Sequence, residues 1–244
     1  MPSPQNILFS GEQMIPGKSP EKTEEEHLAR YQFAKDFVKG KTVLDVACGV
    51  GYGTKMMGEV GAFFVYGVDL SQDVINYAKQ HYSGQRLEYR CGNATNLNFE
   101  EKFFDVIVSF ETIEHLNDHE RDLYLKELYR LLKPSGTLII STPNKRITSP
   151  GSITPKNTHH FREYRLNELI DLLHQHGFQA TAIRGQRVRR KILSNVLVRK
   201  SISFLERLRG HRFAIYDRTQ SAEVIPFGAG YEPRYYVVVA HLAV

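Results

Sequence analysis

The chain reads as an α/β protein, a doubly wound and mostly parallel sheet with helices on both faces. Three observations carry this. Short apolar runs alternate with helix-period segments along most of the 244 residues. Runs such as Val106-Ile107-Val108 are apolar throughout, which suits strands buried on both sides. A glycine-rich turn joins the first run to the next helical segment.

Each element has its own signal. Residues 1–22 are dominated by Pro, Gly and Ser and read as an N-terminal arm or lid. Thr23-Glu24-Glu25-Glu26 has capping-box form, and Leu28, Tyr31, Ala34 and Phe37 follow at helical spacing until Gly40. Thr42–Ala47 is the first strand, Lys55–Val60 a helix, and Phe63–Val68 the second strand. Ser71 caps a helix carrying Val74, Tyr77 and Ala78. Leu87–Arg90 and Phe104–Phe110 are strands, and Asp118–Leu132 is a helix that Pro134-Ser135-Gly136 should break. Thr137–Ser141 is a fifth strand, and Leu166, Leu169, Ile170 and Leu173 mark a helix stopped by Gly177. Phe178–Arg184 and Tyr235–Leu242 complete seven strands. The expected organisation is therefore the arm at 1–22, one domain from 23–185 plus 233–244, and an insertion at 186–232 before the last strand.

Composition excludes several classes. Hydrophobic residues are 41% and charged residues 24%, ordinary globular usage. No apolar run approaches the ~18 residues of a membrane span. The first residues, Met1-Pro2-Ser3-Pro4, lack the cationic start and apolar stretch of a secretory leader. Cys48 and Cys91 cannot build a disulfide framework and are expected as small packed residues in a reducing, cytoplasmic setting. The net charge of +5 is local in origin. Residues 184–218 hold eleven Lys/Arg against Glu206 and Asp217, a net +9, which leaves the rest of the chain at −4.

The most informative stretch is Val43-Leu44-Asp45-Val46-Ala47-Cys48-Gly49-Val50-Gly51-Tyr52-Gly53-Thr54. Alternate glycines permit a tight turn and let a ligand lie on bare backbone before a helix N-terminus. Asp69, at the end of the next strand, suits both hydroxyls of a ribose. Asp45 would repel a diphosphate but suits an ammonium and a sulfonium. The spacing is also Gly-x-Gly-x-Gly, not the dinucleotide pattern. Gly92-Asn93-Ala94 follows the third strand, where an amide oxygen can accept from an adenine amine.

At this point the sequence resembles the class I S-adenosylmethionine-dependent methyltransferases. The matching segments are Val43–Thr54, Val68-Asp69-Leu70-Ser71, Gly92-Asn93-Ala94, Phe104–Glu111 and Leu131–Asn144, in order, within residues 23–180. One departure is Asn93, where the family usually has Asp; it keeps an acceptor. The resemblance implies a Rossmann-like, seven-stranded methyltransferase fold with an antiparallel last strand, and S-adenosyl-L-methionine as cofactor. It implies that Asp45 orients the loop near the methionine amine and that Ala47, Gly49 and Gly51 form the cofactor loop. It places Asp69 and Leu70 at the ribose, Asn93 and Ala94 at the adenine, and Phe110 and Glu111 beside the reacting methyl. The string Gly11–Gly17 with Glu26–Tyr31 is similar to members in bacterial surface-polysaccharide and natural-product pathways, so Glu12 and Tyr31 are expected to close over the cofactor.

Methyl transfer from a sulfonium needs alignment and often a base. His115, His159 and His160 are the candidates, with His160 chosen as base and His115 and Glu111 beside it. If Glu111-Thr112-Ile113-Glu114-His115 is helical, residues 111, 114 and 115 share a face, and His159 or His160 would complete a divalent-metal set. A structural role for Glu114-His115 is the stronger reading, and no metal is assigned.

In the insertion, Ile192, Leu193, Val196, Leu197, Phe204 and Leu208 fall near one helical face flanked by Arg199, Lys200, Arg207 and Arg209. The apolar side is expected to cap the sheet edge. The sharper expectation is an anionic surface or a lipid-linked or phosphate-bearing substrate met through 184–212; pairing of two subunits stays open. RNA is disfavoured, because few aromatics interleave the charges. The expected activity is methyl transfer to an oxygen, less favourably a nitrogen, of a small polar acceptor such as a sugar. An RNA methyltransferase and a non-catalytic cofactor-binding subunit are the alternatives.

Overall fold

The computed structural model describes residues 13–191, 196–209 and 221–243. In chain order the elements are α1 (Glu21–Val38), β1 (Thr42–Val46), α2 (Tyr52–Glu59), β2 (Phe64–Asp69), α3 (Gln72–His81), β3 (Leu87–Cys91) and β4 (Phe104–Phe110). A 3₁₀ turn (Ile113–His115) leads to α4 (Asp118–Leu131), β5 (Leu132–Pro143), α5 (Lys145–Thr148), α6 (Leu166–Gln175) and β6 (Phe178–Gln186). The insertion contributes β7 (Arg189–Arg190), α7 (Val196–Arg209) and β8 (Tyr231–Glu232), and β9 (Tyr235–Leu242) closes the chain.

Seven strands form one sheet in the order β3-β2-β1-β4-β5-β9-β6. Every pairing from β3 to β5 is parallel, whereas β9 runs antiparallel to both β5 and β6. The two-residue period of the strands sorts the core into two layers. Val43, Val106, Val108 and Ile139 face Tyr31, Ala34, Val38, Met57 and Val74 of α1–α3. Leu44, Ile107, Leu138 and Ile140 face Tyr124, Leu125, Leu128 and Leu169 of α4 and α6. The ends of β1, β4 and β5 open on one edge, where a doubly wound sheet places its ligands.

Local chemistry moved several boundaries. The box at Thr23 does not form: α1 starts at Glu21 behind Pro20, and Glu24 accepts from the Gly17 amide at 2.8 Å instead. Proline is at home before a helix, where its missing N–H costs nothing. A capping box does open α4, between Asn117 and Glu120. Pro134–Gly136 end α4 only by becoming part of β5, with a register shift between Phe104 and Val106 on β4. Cys48 is buried as expected, but Cys91 is exposed at the end of β3.

The insertion grips the helix that covers the site. Gln186 is fully buried and donates to the Glu26 carbonyl at 2.7 Å. Arg187 pairs with Glu26 at 2.9 Å and Glu25 at 2.7 Å. Further on, α7 turns Leu197, Phe204 and Leu208 outward, 74%, 62% and 68% exposed, so its apolar side does not cap the sheet edge. Ile192, Leu193 and Arg212 lie outside the described residues, as does Glu12. Among the described residues no helix is long and apolar enough to cross a membrane.

Candidate functional site

The turn after β1 uses its three glycines for three different purposes. Gly49 has φ +55° and open space where a side chain would stand, so its backbone faces the cavity bare. Gly51 has φ +91°, and a Cβ there would lie 2.8 Å from both Ala78 and the Tyr89 ring. Gly53 makes room for the Tyr31 ring, which a Cβ would meet at 2.1 Å. The turn is tied to β2 by two bonds: the Cys48 amide donates to the Val68 carbonyl at 2.9 Å, and the Gly49 amide to Asp69 Oδ2 at 3.0 Å. Asp69 Oδ1 accepts from Ser71 at 3.0 Å. Burial raises the Asp69 pKa against these backbone bonds. Each of its oxygens retains a second lone pair for a ligand hydroxyl.

Asp45 lies beneath this turn, fully buried. It accepts from Tyr31 at 3.0 Å and from Thr54 at 2.6 Å. Burial pushes its pKa up to about 7, with the Asp69 charge adding and the two hydroxyl bonds opposing. Tyr31 stands edge-on to both Tyr52 and Phe110, with centroids 5.3 and 5.1 Å apart. Gln13 and Met14, from the end of the arm, join these rings around a cavity of about 620 Å³. That is a size that holds a small ligand.

The far end of the same cavity is polar, lined by Glu111, Glu114, His115, Lys156, Asn157, His160, Glu163, Arg234 and Tyr235. Neighbouring residues at the end of β5 hold two of its three acids. Ser141 donates to Glu111 Oε1 at 2.6 Å, and Thr142 to Glu114 Oε2 at 2.9 Å. Because Ser141 and Thr142 point to opposite faces of the sheet, the acids are separated. Glu111, at φ +51°, is carried toward the fully buried Arg30, whose Nη1 is 4.0 Å from Oε1. Glu114 is fully buried, and its Oε1 has no hydrogen-bond partner. Burial, reinforced by the Glu111 charge, raises its pKa well above the usual carboxylate range.

His160 is the most tightly oriented of the histidines. Its Nδ1 lies 3.0 Å from Glu163 Oε1, and the Asn157 side-chain amide donates to Nε2 at 2.9 Å. The His159 backbone amide donates to Asn157 Oδ1 at 3.1 Å, which fixes the direction of that amide. Together these bonds select the tautomer with a proton on Nδ1 and a lone pair on Nε2. Burial works to raise the Glu163 pKa, but bonds from His160, Ser149 and Thr148 outweigh it and hold the carboxyl below its ordinary range. His115 stands edge-on to His160 at 4.8 Å, its Nδ1 3.1 Å from the His159 carbonyl. Glu114, His115 and His160 bring one donor each within 4.8 Å of one another, close enough to hold a cation. Glu111 is not of that group, because the segment is a short 3₁₀ turn and not a helix with a shared face.

Comparison with known proteins agrees with this geometry. Residues 44–140 match a family model described as a methyltransferase domain. A "Probable S-adenosylmethionine-dependent methyltransferase" of Mycolicibacterium smegmatis is 35% identical over 177 residues, 72% of this chain and 67% of the relative. The chain belongs to the S-adenosylmethionine-dependent methyltransferases. A ubiquinone biosynthesis O-methyltransferase of Coxiella burnetii is 34% identical over 61% of this chain and 68% of its own. The fold is shared with a Pyrococcus horikoshii OT3 protein at a TM-score of 0.62 and 22% identity, covering 92% of each chain. It is shared also with a Burkholderia thailandensis N1-methyltransferase crystallised with S-adenosylhomocysteine. That likeness has a TM-score of 0.57 and 18% identity, and covers 91% of this chain and 78% of that one.

The cavity fits the cofactor this family uses. It offers a bare backbone at Gly49, the Asp69 carboxylate at the next strand end, and the three aromatic rings of Tyr31, Tyr52 and Phe110. Of the residues expected from sequence, Tyr31, Ala47, Gly49, Asp69, Phe110, Glu111, His115 and His160 line it. Asp45, Gly51, Leu70, Asn93 and Ala94 do not. Both Asp45 oxygens are held by hydroxyls, so it braces Tyr31 and Thr54 from below. Gly51 serves the packing of α2 against α3 and β3. Leu70 is 72% exposed, and Ala94 packs on the core. Asn93 Oδ1 accepts from the Thr95 amide at 3.0 Å and its hydroxyl at 2.9 Å, so the oxygen expected at an adenine closes its own turn. Arg30, Glu163, Asn157 and Tyr235 carry no sequence signal of their own. They join the site only through contacts such as that between Arg30 and Gln186, at 2.7 Å.

Proposed function

We propose that this methyltransferase acts on a hydroxyl oxygen of a small polar acceptor, a sugar or glycan being the favoured class, with His160 as the base. The observation that carries the reading is the His160–Glu163 pair at 3.0 Å at the polar end of the cavity, with Nε2 held by the Asn157 amide at 2.9 Å. The bound cofactor supplies a methyl group already activated on a positive sulfur. What remains for the chain is to align an acceptor oxygen, exclude water and take one proton. An incoming hydroxyl replaces the Asn157 amide at Nε2 and gives up its proton there. Glu163, ionised, stabilises the imidazolium that results. The walls of this end, rich in donors and acceptors, suit a polyhydroxylated acceptor better than an apolar one. An O-methyltransferase among the relatives supports oxygen over nitrogen.

The test is a methyl-release assay over sugars, phenols and RNA, with and without a chelator. His160→Ala should lower turnover by about 10²–10⁴-fold and leave cofactor affinity unchanged. Undiminished turnover in that variant would remove the base. Loss of activity in chelator would favour the second reading that Glu114, His115 and His160 present, a bound cation. Steeply salt-dependent activity on RNA alone would move the acceptor class to nucleic acid.

A further inference from the structure

A second cavity, of about 730 Å³, lies on the other side of the segment that ends α5. Thr148 lines the first cavity and Ser149 the second, so the two share a wall. That wall is internally braced: Thr148 donates to Glu163 at 2.6 Å, and the buried Ser149 hydroxyl accepts from the Lys156 amide at 2.8 Å. The second cavity is lined by Lys145, Arg146, Arg165 and Lys191, with one acid, Glu232. Four cations against one carboxylate leave three positive charges. Arg146 is committed to Glu232 at 3.0 Å. Lys145 spans the cleft to the Ile153 carbonyl at 3.2 Å, using one of its three donors. Glu232 is 6% exposed, and its second oxygen has no partner.

From this arrangement we infer that the second cavity is an anion subsite for a phosphate ester, on the far side of the Thr148–Ser149 segment from the cavity that holds His160. Charge balance decides the ligand class. A monoanionic carboxylate would leave two positive charges uncompensated, whereas a phosphate dianion or a diphosphate neutralises most of them. Lys145, Arg165 and Lys191 supply the charge-assisted donors. Glu232 is already paired with Arg146, so the donors left for an anion are those of Lys145, Arg165 and Lys191. Lys191 belongs to the basic insertion, so part of that segment's charge faces this cavity.

The experiment is calorimetric titration with inorganic pyrophosphate of the wild type, of Arg165→Ala/Lys191→Ala and of a charge-matched control, Lys200→Ala/Arg207→Ala on α7. All four side chains are exposed, so the fold is not at stake. Saturable one-to-one binding is expected, weakened about tenfold or more in the first variant, since each lost charge-assisted bond is worth roughly 1.5–3 kcal/mol. The control should bind like wild type. An equal loss in both variants, or no saturable binding, overturns the subsite. His160→Ala should bind pyrophosphate normally while losing turnover, so failure of the base and failure of the subsite read out separately. Once binding is lost in Arg165→Ala/Lys191→Ala, sedimentation with phosphatidylglycerol vesicles assigns the source. Loss of sedimentation in the same variant points to a lipid-carried ester, and unchanged sedimentation to a soluble one.

Discussion

Asp45→Asn separates what the buried carboxylate does for binding from what it costs in stability. The Asp45 pKa is pushed up to about 7 from the ordinary 3.8, chiefly by burial. The folded state therefore favours the protonated form. The sign follows from linkage: stability from this group is fully present below pH 3.8 and is lost as pH rises toward 7. Above about 7 the deficit levels off. Between pH 5 and pH 8 the wild type should lose about 2–3 kcal/mol through this one site, because each tenfold change in proton affinity is worth roughly 1.4 kcal/mol. Asparagine occupies the same space and does not titrate, and its oxygen and amide can still meet Tyr31 and Thr54. The difference in Tm between variant and wild type should thus move in favour of the variant by about 4–12 °C from pH 5 to pH 8, at roughly 2–4 °C per kcal/mol for a domain this size. Differential scanning fluorimetry of the apoprotein in matched buffers at the two pH values reads it directly. A difference in Tm that is the same at both pH values would refute the claim that Asp45 is held largely neutral. The variant should also bind the cofactor more weakly, because a cationic ligand gains from an ionised carboxylate beneath the loop.

The three glycines should fail in three ways. Gly49→Ala has room for its methyl but strains a backbone held at φ +55° and places the methyl toward the cofactor, so Tm should fall and isothermal calorimetry should show weaker cofactor binding. Gly51→Ala and Gly53→Ala meet Tyr89 and Tyr31 at 2.8 and 2.1 Å, and should lower stability by roughly 1–3 kcal/mol or more in urea unfolding. Asp69→Ala removes the carboxylate expected at the ribose together with the anchor of the Gly49 amide, and cofactor affinity should fall at least about tenfold per lost charge-assisted bond. Arg30→Met leaves Glu111 without its buried cation and should cost about 3–5 kcal/mol by the same unfolding assay. A variant as stable as the wild type would show that the 4.0 Å pair contributes nothing.

What the sequence disclosed and what it withheld divide along the reach of the interactions. Strand β4 and the glycine turn are local patterns, since a run of Val106-Ile107-Val108 and a strand-to-helix turn need no distant partner to be recognised. Asp69 was legible for the same reason, standing at a strand end one βα unit beyond the loop. Competing neighbours settled other details: the Asn93 oxygen accepts from Thr95 two residues away, and the helix starts behind Pro20 with no box at Thr23. The polar end of the cavity is built differently. Glu163 acquires meaning only when β5, α5 and the 3₁₀ turn bring His160, Thr148 and Glu114 around it. Arg30 meets Gln186 across 156 residues of chain, and Lys191 shares a cavity with Arg165 only through the insertion. The glycine turn and Asp69 stand on consecutive strand ends, where a local pattern shows them, whereas the polar end of the cavity is assembled from loops whose contacts are long-range, and no local pattern announces it.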